Sequence, residues 1–256
     1  MPDRRSAFRA LREIGAVLLV LATVVALGLV LTVWTGFPKG TDAYAHLTRL
    51  RFLAQFFPRH EWLYSWSAGM PAFETYPELP YLLAAPVTKS FGAPAALAAI
   101  AFVGMSLLGL GLYGTVRTAT GSTLGGLVAS LAAIGSMATW TWIVNGGVYA
   151  RVFAAGLAAC ACWAASRWLG SGSRLAFAAT ALLLAAAIAS HQFVGAVFAF
   201  GVGMATLAHP GPARLRRALT LAVATFLLAS PAIVPALVRY GGFASAFLGL
   251  DRPSLT

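Results

Sequence analysis

The stretch "IGAVLLVLATVVALGLVLTVW", residues 14–34, decides the class of this protein. It carries no charged side chain, and about 20 such residues are enough to cross the hydrocarbon core of a bilayer as a helix. Comparable apolar runs recur along the chain, at residues 93–116, 123–144, 152–169, 175–189, 193–208 and 218–237. The pattern predicts an all-α, polytopic membrane protein. We expect about seven transmembrane or membrane-embedded helices in a single membrane domain over residues 1–256.

The composition excludes an ordinary soluble domain. Of the 256 residues, 59% are hydrophobic and 10% are charged, whereas soluble domains have about 25% charged residues. The apolar run of the first span is longer than the ~7–15 residues of a cleaved signal peptide. The net charge of +11 does not indicate nucleic acid, because the basic residues lie in short stretches between apolar runs. Cys160 and Cys162 point to nearly opposite sides of a helix, which excludes a disulfide or a metal pair between them.

The basic residues also predict the topology. Arg4, Arg5, Arg9 and Arg12 precede the first span, so the N-terminus is expected in the cytoplasm of a multi-pass plasma-membrane protein. With seven spans, residues 117, 167–174 and 209–217 fall on that same side. The loop 35–92 and the segment from residue 239 then lie outside. The short "SHQF" connection allows spans five and six to form a tight re-entrant pair. Since the sequence ends in a loop, we expect it to be the N-terminal part of a longer protein.

The outer loop is predicted to be structured. It opens with "TDAYAHLTRLRFLAQFFPRHEW", residues 41–62, and holds four of the seven acidic residues. On a helix from near Thr41 to Pro58, the apolar residues 43, 47, 50, 54 and 57 share one face, and residues 42, 46 and 49 share another. This spacing predicts an amphipathic helix in the membrane interface. A second short helix is predicted over Glu78–Phe91.

Four short motifs carry a resemblance. They are "D-x-x-x-H" (Asp42, His46), "R-x-x-F-L" (Arg49 to Leu53), "W-x-x-G-x-P-x-F-x-x-Y-P-x-L-x-Y" (Trp66 to Tyr81) and "GGVYARVFA" (residues 146–154). The outer loop resembles that of the membrane-embedded glycosyltransferases of the C superfamily, which include the catalytic subunit of oligosaccharyltransferase. The motifs, together with the histidine at the end of span five, resemble still more closely a set of prokaryotic membrane proteins labelled as related to 6-pyruvoyl-tetrahydropterin synthase.

The resemblance to the glycosyltransferases implies transfer of a sugar from a polyprenyl-phosphate donor to an acceptor at the outer face of the membrane. It makes Asp42 the key carboxylate, as general base or as ligand of an activating divalent cation such as Mg²⁺ or Mn²⁺. From the residues themselves, we expect His46, Arg49 and Arg51 to lie near the donor phosphate. The remaining candidates for substrate binding are Glu74, Tyr76, Arg151 and His191. The segment "VNGGVYAR" lacks the second acidic motif of oligosaccharyltransferase, which weakens a metal site and protein glycosylation.

Several of these residues have simpler interpretations. Asp42 could cap the helix that follows it, His46 could sit at the wet interface, and Glu74 and Glu78 could be solvated or capping residues. Arg151 could anchor to lipid headgroups instead of binding the donor phosphate, and His191 could face a cavity or occupy an interfacial turn.

The alternative function is a transporter or a non-catalytic membrane component. A transporter is expected to show repeated halves, broken spans or charges near the bilayer centre, and the sequence favours the enzyme because none of these is evident. The sugar, the acceptor and the oligomeric state stay open.

Overall fold

The computed structural model describes residues 4–56, 62–63, 70–71, 78–208, 211 and 213–247. This part of the chain is helical apart from one short antiparallel pair, Trp62–Leu63 with Met70–Pro71. The helices are α1 (Arg4–Thr35), α2 (Ala43–Phe56), α3 (Leu79–Phe91), α4 (Ala93–Thr120), α5 (Thr123–Gly135), α6 (Met137–Val144), α7 (Tyr149–Ser171), α8 (Arg174–Ser190), α9 (Gln192–Ala208) and α10 (Arg214–Phe247). The predicted all-α class is confirmed.

Five segments are long and apolar enough to cross a membrane: Ala10–Thr32, Ala93–Thr120, Thr123–Val144, Tyr149–Ser171 and Arg214–Val234. Helices α8 and α9 are also apolar but shorter, at 17 residues each. At about 1.5 Å per residue each is roughly 25 Å long, slightly less than the ~30 Å hydrocarbon core. Five candidate spans are therefore shown, and a total of seven stays a prediction.

The outward faces of these helices are apolar. Leu18 is 60% exposed, Leu182 59% and Phe200 71%. A contiguous surface of such side chains is unfavourable in water, whereas a helix in lipid satisfies its backbone internally and can present them to acyl chains. The arrangement supports a membrane protein.

Small residues let α4 and α7 pack closely, as the sequence "GLGLYG" predicts for helices in lipid. A Cβ added to Gly111 would lie 2.4 Å from the carbonyl carbon of Ala159, and one added to Gly156 would lie 2.3 Å from the carbonyl oxygen of Gly104. The two backbones approach closely because no side chain intervenes at these positions.

The third apolar segment is broken, contrary to the uninterrupted span expected from the sequence. Ser136 is extended (φ −66°, ψ 124°) and separates α5 from α6. Two side chains satisfy carbonyls freed at the break: the Thr139 hydroxyl donates to Ala133 at 3.0 Å, and the Trp140 indole donates to Ile134 at 2.6 Å. Apolar periodicity does not reveal such a break because the segment stays hydrophobic on both sides of it.

The two helices predicted within the loop 35–92 form as α2 and α3, and they pack against α4 and each other. Three residues of the predicted apolar face, Ala43, Leu47 and Leu50, are buried. Ala54 is half-buried, and residue 57 lies outside the described residues. His46 is also completely buried, so its proposed position at a wet interface is wrong. The predicted end of the first helix at Pro58 lies outside the described residues.

Successive long helices run in alternating directions, so the bundle has two polar ends. Residues 36–47, 145–151 and 191 form what we call the Asp42 end. Glu13, Arg117, Thr123 and the starts of α8 and α10 form what we call the Glu13 end. This grouping agrees with the alternation predicted from the basic residues, while the face of the membrane that each end meets stays a prediction.

Candidate functional site

Backbone pairing between two distant segments holds Asp42 at its end of the bundle. The Asp42 N–H donates to the Gly146 carbonyl, and the Thr41 N–H donates to the Asn145 carbonyl, both at 3.3 Å. The Thr41 hydroxyl also donates to the Gly146 carbonyl, at 3.2 Å. The Asp42 carbonyl in turn accepts from the His46 N–H at 3.1 Å. Asp42 therefore precedes the first turn of α2 with its backbone fixed and its side chain exposed.

Two glycines make this pairing possible. Gly40 has φ +111° and Gly147 has φ +66°, a region that residues with a side chain rarely adopt. A Cβ on Gly147 would lie 2.8 Å from the Ala43 nitrogen, and one on Gly40 would lie 2.4 Å from the Gly147 nitrogen. The "GG" of residues 146–147 thus serves as a docking point for the loop that carries Asp42.

His46 links α2 to α3 and α7 in the interior. Its Nδ1 forms a hydrogen bond with the Tyr81 hydroxyl, and its ring packs edge-on against Tyr149, with centroids 5.5 Å apart. Tyr149 donates its hydroxyl proton to the Lys39 carbonyl at 3.0 Å. This chain of contacts joins the segment that precedes α2 to the start of α7.

The environment of His46 keeps its imidazole neutral. The pKa of His46 is lowered from 6.5 to about 4, mainly by burial and to a smaller extent by the charge of Arg49, while a hydrogen bond with the Gly147 backbone opposes the shift. A neutral, fully buried ring is suited to positioning neighbouring segments. The sequence predicts that His46 lies near the donor phosphate, but the ring is completely buried and contacts protein. Direct contact with the substrate would therefore require α2 to move.

Arg151 lies against an apolar cavity. Its guanidinium is 3.7 Å from the ring centroid of Trp142, a geometry that favours the cation over the aromatic face. The two residues line a cavity of about 330 Å³, whose other walls include Leu108 of α4, Thr139 of α6 and Phe193 of α9. The break at Ser136 orients α6, and with it Trp142, toward this cavity.

His191 occupies the turn between α8 and α9, one of its two expected positions. Its N–H donates to the Ala187 carbonyl at 2.9 Å, and its Nδ1 accepts from the Val194 N–H at 3.4 Å. Burial and the nearby charge of Arg151 lower the pKa of His191. The ring therefore joins two helix ends beside the Arg151 cavity.

The remaining candidates are dispersed. Arg49 is half-buried on α2, whereas Arg51 is exposed and lines a separate cleft of about 550 Å³ with Lys89 and the start of α4. Glu74 and Tyr76 lie outside the described residues. The structure thus brings Asp42 and His46 to the loop that leads into α7, and Arg151 to His191, while Arg51 faces elsewhere.

A metal site is not evident in the part of the chain that the structure describes, where no group of three or more His, Cys, Asp or Glu side chains could hold an ion. Glu61 and Glu74 lie outside that part. The expected role of Asp42 as a ligand of a divalent cation stays a prediction.

Sequence reasoning missed the cluster around Glu13. This carboxylate accepts from the Tyr113 hydroxyl, from Nε of Arg117 at 3.0 Å and from the Thr123 hydroxyl at 2.8 Å, which joins α1, α4 and α5. The sequence did contain one signal for this cluster, because Glu13 is an acidic residue directly before the apolar run 14–34. Trp142 was missed as well, because an aromatic residue in an apolar run is usually a packing residue.

No family model, curated protein or solved structure matches this chain.

Proposed function

We propose that this protein transfers a sugar from a polyprenyl-phosphate donor to an acceptor at the outer face of the membrane. The observation that supports this best is the contact of residues 41–43 with residues 145–147, which consists of hydrogen bonds from residues 41 and 42 and the close approach of Gly147 to Ala43. It fixes an exposed carboxylate, Asp42, at the same end of the bundle as Arg151, which follows the paired segment by four positions. A base and a phosphate-binding cation are the two groups that glycosyl transfer from a phosphate donor requires.

Asp42 is suited to act as the general base. In an inverting transfer, its carboxylate takes the proton of the acceptor nucleophile as that nucleophile bonds to the anomeric carbon. The bond between the anomeric carbon and the donor phosphate oxygen breaks, and its electron pair leaves with polyprenyl phosphate. The fixed backbone of Asp42 limits the positions that its carboxylate can take, which is favourable because misplacement of a catalytic group is costly.

Arg151 and its cavity suit the leaving group. A guanidinium is matched to phosphate oxygens by its planar fork of donors. The adjoining walls are mainly apolar, and the volume of about 330 Å³ is within the range of ~300–1,000 Å³ typical of ligand sites. An isoprenoid phosphate has the same division into a charged head and an apolar chain.

The experiment incubates the full chain in detergent or liposomes with polyprenyl-phosphate sugar donors and measures sugar transfer chromatographically. We expect Arg151→Ala to lose most of the activity and Arg151→Lys to keep part of it, because lysine preserves the charge but not the fork. Arg167→Ala is the matched control, since Arg167 is exposed at the Glu13 end. Wild-type protein that transfers none of a broad donor set, or an Arg151→Ala variant with full activity, would contradict the proposal.

The broken third span favours a second candidate, a transporter of a lipid-linked anion. Interrupted helices beside a cavity are a feature of transporters, and α6 lines the Arg151 cavity. This candidate predicts movement of the labelled lipid across liposome membranes without formation of a glycosylated product. Measuring both quantities in one preparation separates the two functions.

A further inference from the structure

A second basic pocket lies at the Glu13 end, away from the proposed reaction site. Three arginines line it: Arg174 at the start of α8, and Arg216 and Arg217 in the first turn of α10. The pocket has a volume of about 410 Å³. None of the three carboxylates in the described part of the chain, Glu13, Asp42 and Glu78, contributes to its lining.

The floor of this pocket is aromatic. Trp168 of α7 and Phe177 of α8 line it, with ring centroids 5.2 Å apart. Trp168 is buried and Phe177 is half-buried, so the rings form an apolar surface beside the three guanidinium groups. An anion that fits here carries its charge next to an apolar portion.

The surroundings suit a membrane lipid. Leu175 is 81% exposed and Leu215 is 60% exposed, each adjacent in sequence to a lining arginine. The arginines thus alternate with apolar side chains that acyl chains can cover. Basic pockets between membrane helices recognise the phosphate groups of lipids in this way, and arginine binds phosphate oxygens through paired hydrogen bonds.

We propose that Arg174, Arg216 and Arg217 bind the phosphate of an anionic phospholipid headgroup, which joins the α7–α8 turn to the start of α10. The lipid clamps two parts of the bundle that are distant in sequence. This binding is independent of glycosyl transfer, so either proposal can fail while the other stands.

The test uses the full chain in detergent micelles and measures binding of fluorescent phosphatidylglycerol, with phosphatidylcholine carrying the same label as the neutral probe. We expect preferential binding of phosphatidylglycerol, and a loss of about five-fold in affinity for each pocket arginine changed to glutamine, as estimated for a basic residue near an anionic lipid surface. The main variant is Arg216→Gln/Arg217→Gln. The variant Arg216→Lys/Arg217→Lys, which keeps the charge, should retain intermediate affinity.

The matched control is Arg167→Gln/Arg214→Gln, which removes the same charge at the same end from residues outside the pocket lining. An equal loss in both double variants would overturn the proposal, because it would indicate general attraction to an anionic surface. If inorganic phosphate displaces the labelled lipid at similar concentration, the pocket binds free phosphate and the proposed lipid is wrong.

Thermal unfolding without lipid is measured for each variant. If the glutamine variant is unfolded, the lysine variant decides, and affinity equal to wild type in a folded lysine variant would contradict the paired hydrogen bonds.

Discussion

Two carboxylates mark the opposite ends of this bundle, and their surroundings differ. Glu13 accepts hydrogen bonds from Tyr113, Arg117 and Thr123, which come from two other helices. Asp42 is held through its backbone, by the Gly146 carbonyl and the His46 N–H, while its side chain is exposed. A carboxylate whose oxygens are occupied by its own protein stabilises the fold. One whose backbone is fixed and whose oxygens face outward is available to a substrate.

The largest expected effect follows from Asp42→Asn. This change keeps the size of the side chain and much of its capping ability but removes the proposed base, so transfer should fall by a factor of ~10² to 10⁴. The melting temperature should stay near that of the wild type. Glu13→Gln makes the same chemical change at the other end and should leave transfer per folded molecule intact. Full activity in Asp42→Asn would mean that the exposed carboxylate has no part in the reaction.

Acidification should destabilise the Asp42 end. Since burial and the charge of Arg49 lower the pKa of His46 from 6.5 to about 4 in the folded protein, the unfolded chain binds the proton more readily between these pH values. Stability is therefore lost as the pH falls from about 6.5 to 4, by up to the order of 3 kcal/mol. The check is thermal unfolding as a function of pH, with His46→Gln as the variant that should flatten the dependence. His191→Gln is the comparison variant, because the pKa of His191 is lowered as well but by less, so it should flatten the dependence less than His46→Gln. An unchanged slope in His46→Gln would contradict the assignment.

The glycine contact can be tested with a matched pair. Gly147 and Gly172 have nearly the same φ, +66° and +69°, but a Cβ on Gly172 would meet nothing within 4 Å. Both Gly147→Ala and Gly172→Ala pay the strain of a left-handed residue, about 1–3 kcal/mol. Gly147→Ala should cost a further ~1–3 kcal/mol because its Cβ is overpacked. Equal losses in free energy of unfolding would show that the two segments are not in close contact.

The smallest effect is expected for the stability of Glu13→Gln. The pair with Arg117 is about a quarter exposed, with side-chain exposures of 26% and 30%, so its ionic part is partly screened by solvent. Glutamine can still accept hydrogen bonds, and we expect a loss of about 1 kcal/mol. Chemical denaturation at two salt concentrations measures it. A loss of unfolding free energy larger than that of Gly147→Ala would contradict the prediction that Glu13→Gln has the smaller effect.

Much of the fold could be predicted from the sequence because lipid imposes a strong pattern. The apolar runs predicted the positions of the long helices, although α10 continues to Phe247 where the sequence predicted a loop from residue 239. The spacing of residues 43, 47 and 50 predicted part of the buried surface of α2. The break at Ser136 could not be predicted. It depends on the side chains of Thr139 and Trp140, each of which donates to a carbonyl six residues earlier in the chain. The burial of His46 was also missed, because its partners Tyr81 and Tyr149 are distant in sequence.

The site was only partly predictable for the same reason. Asp42, Arg151 and His191 were recognisable as polar residues in unusual positions. Their neighbours were not, because the pairing of residues 41–43 with residues 145–147 is a backbone contact that leaves almost no trace in side-chain pattern. The glycines 146 and 147 were the only signal, and glycines are common in this chain.

The pairing also sets an order in which the protein can be made. Thr41 and Gly146 are 105 residues apart, and chains grow at about 5–20 residues per second. The segment that carries Asp42 therefore leaves the ribosome roughly 5 to 20 s before its partner. During that interval the start of α2 has no docking point at residues 145–147. The Asp42 end is completed only after the third apolar segment has been made, so the proposed reaction site is a late product of synthesis.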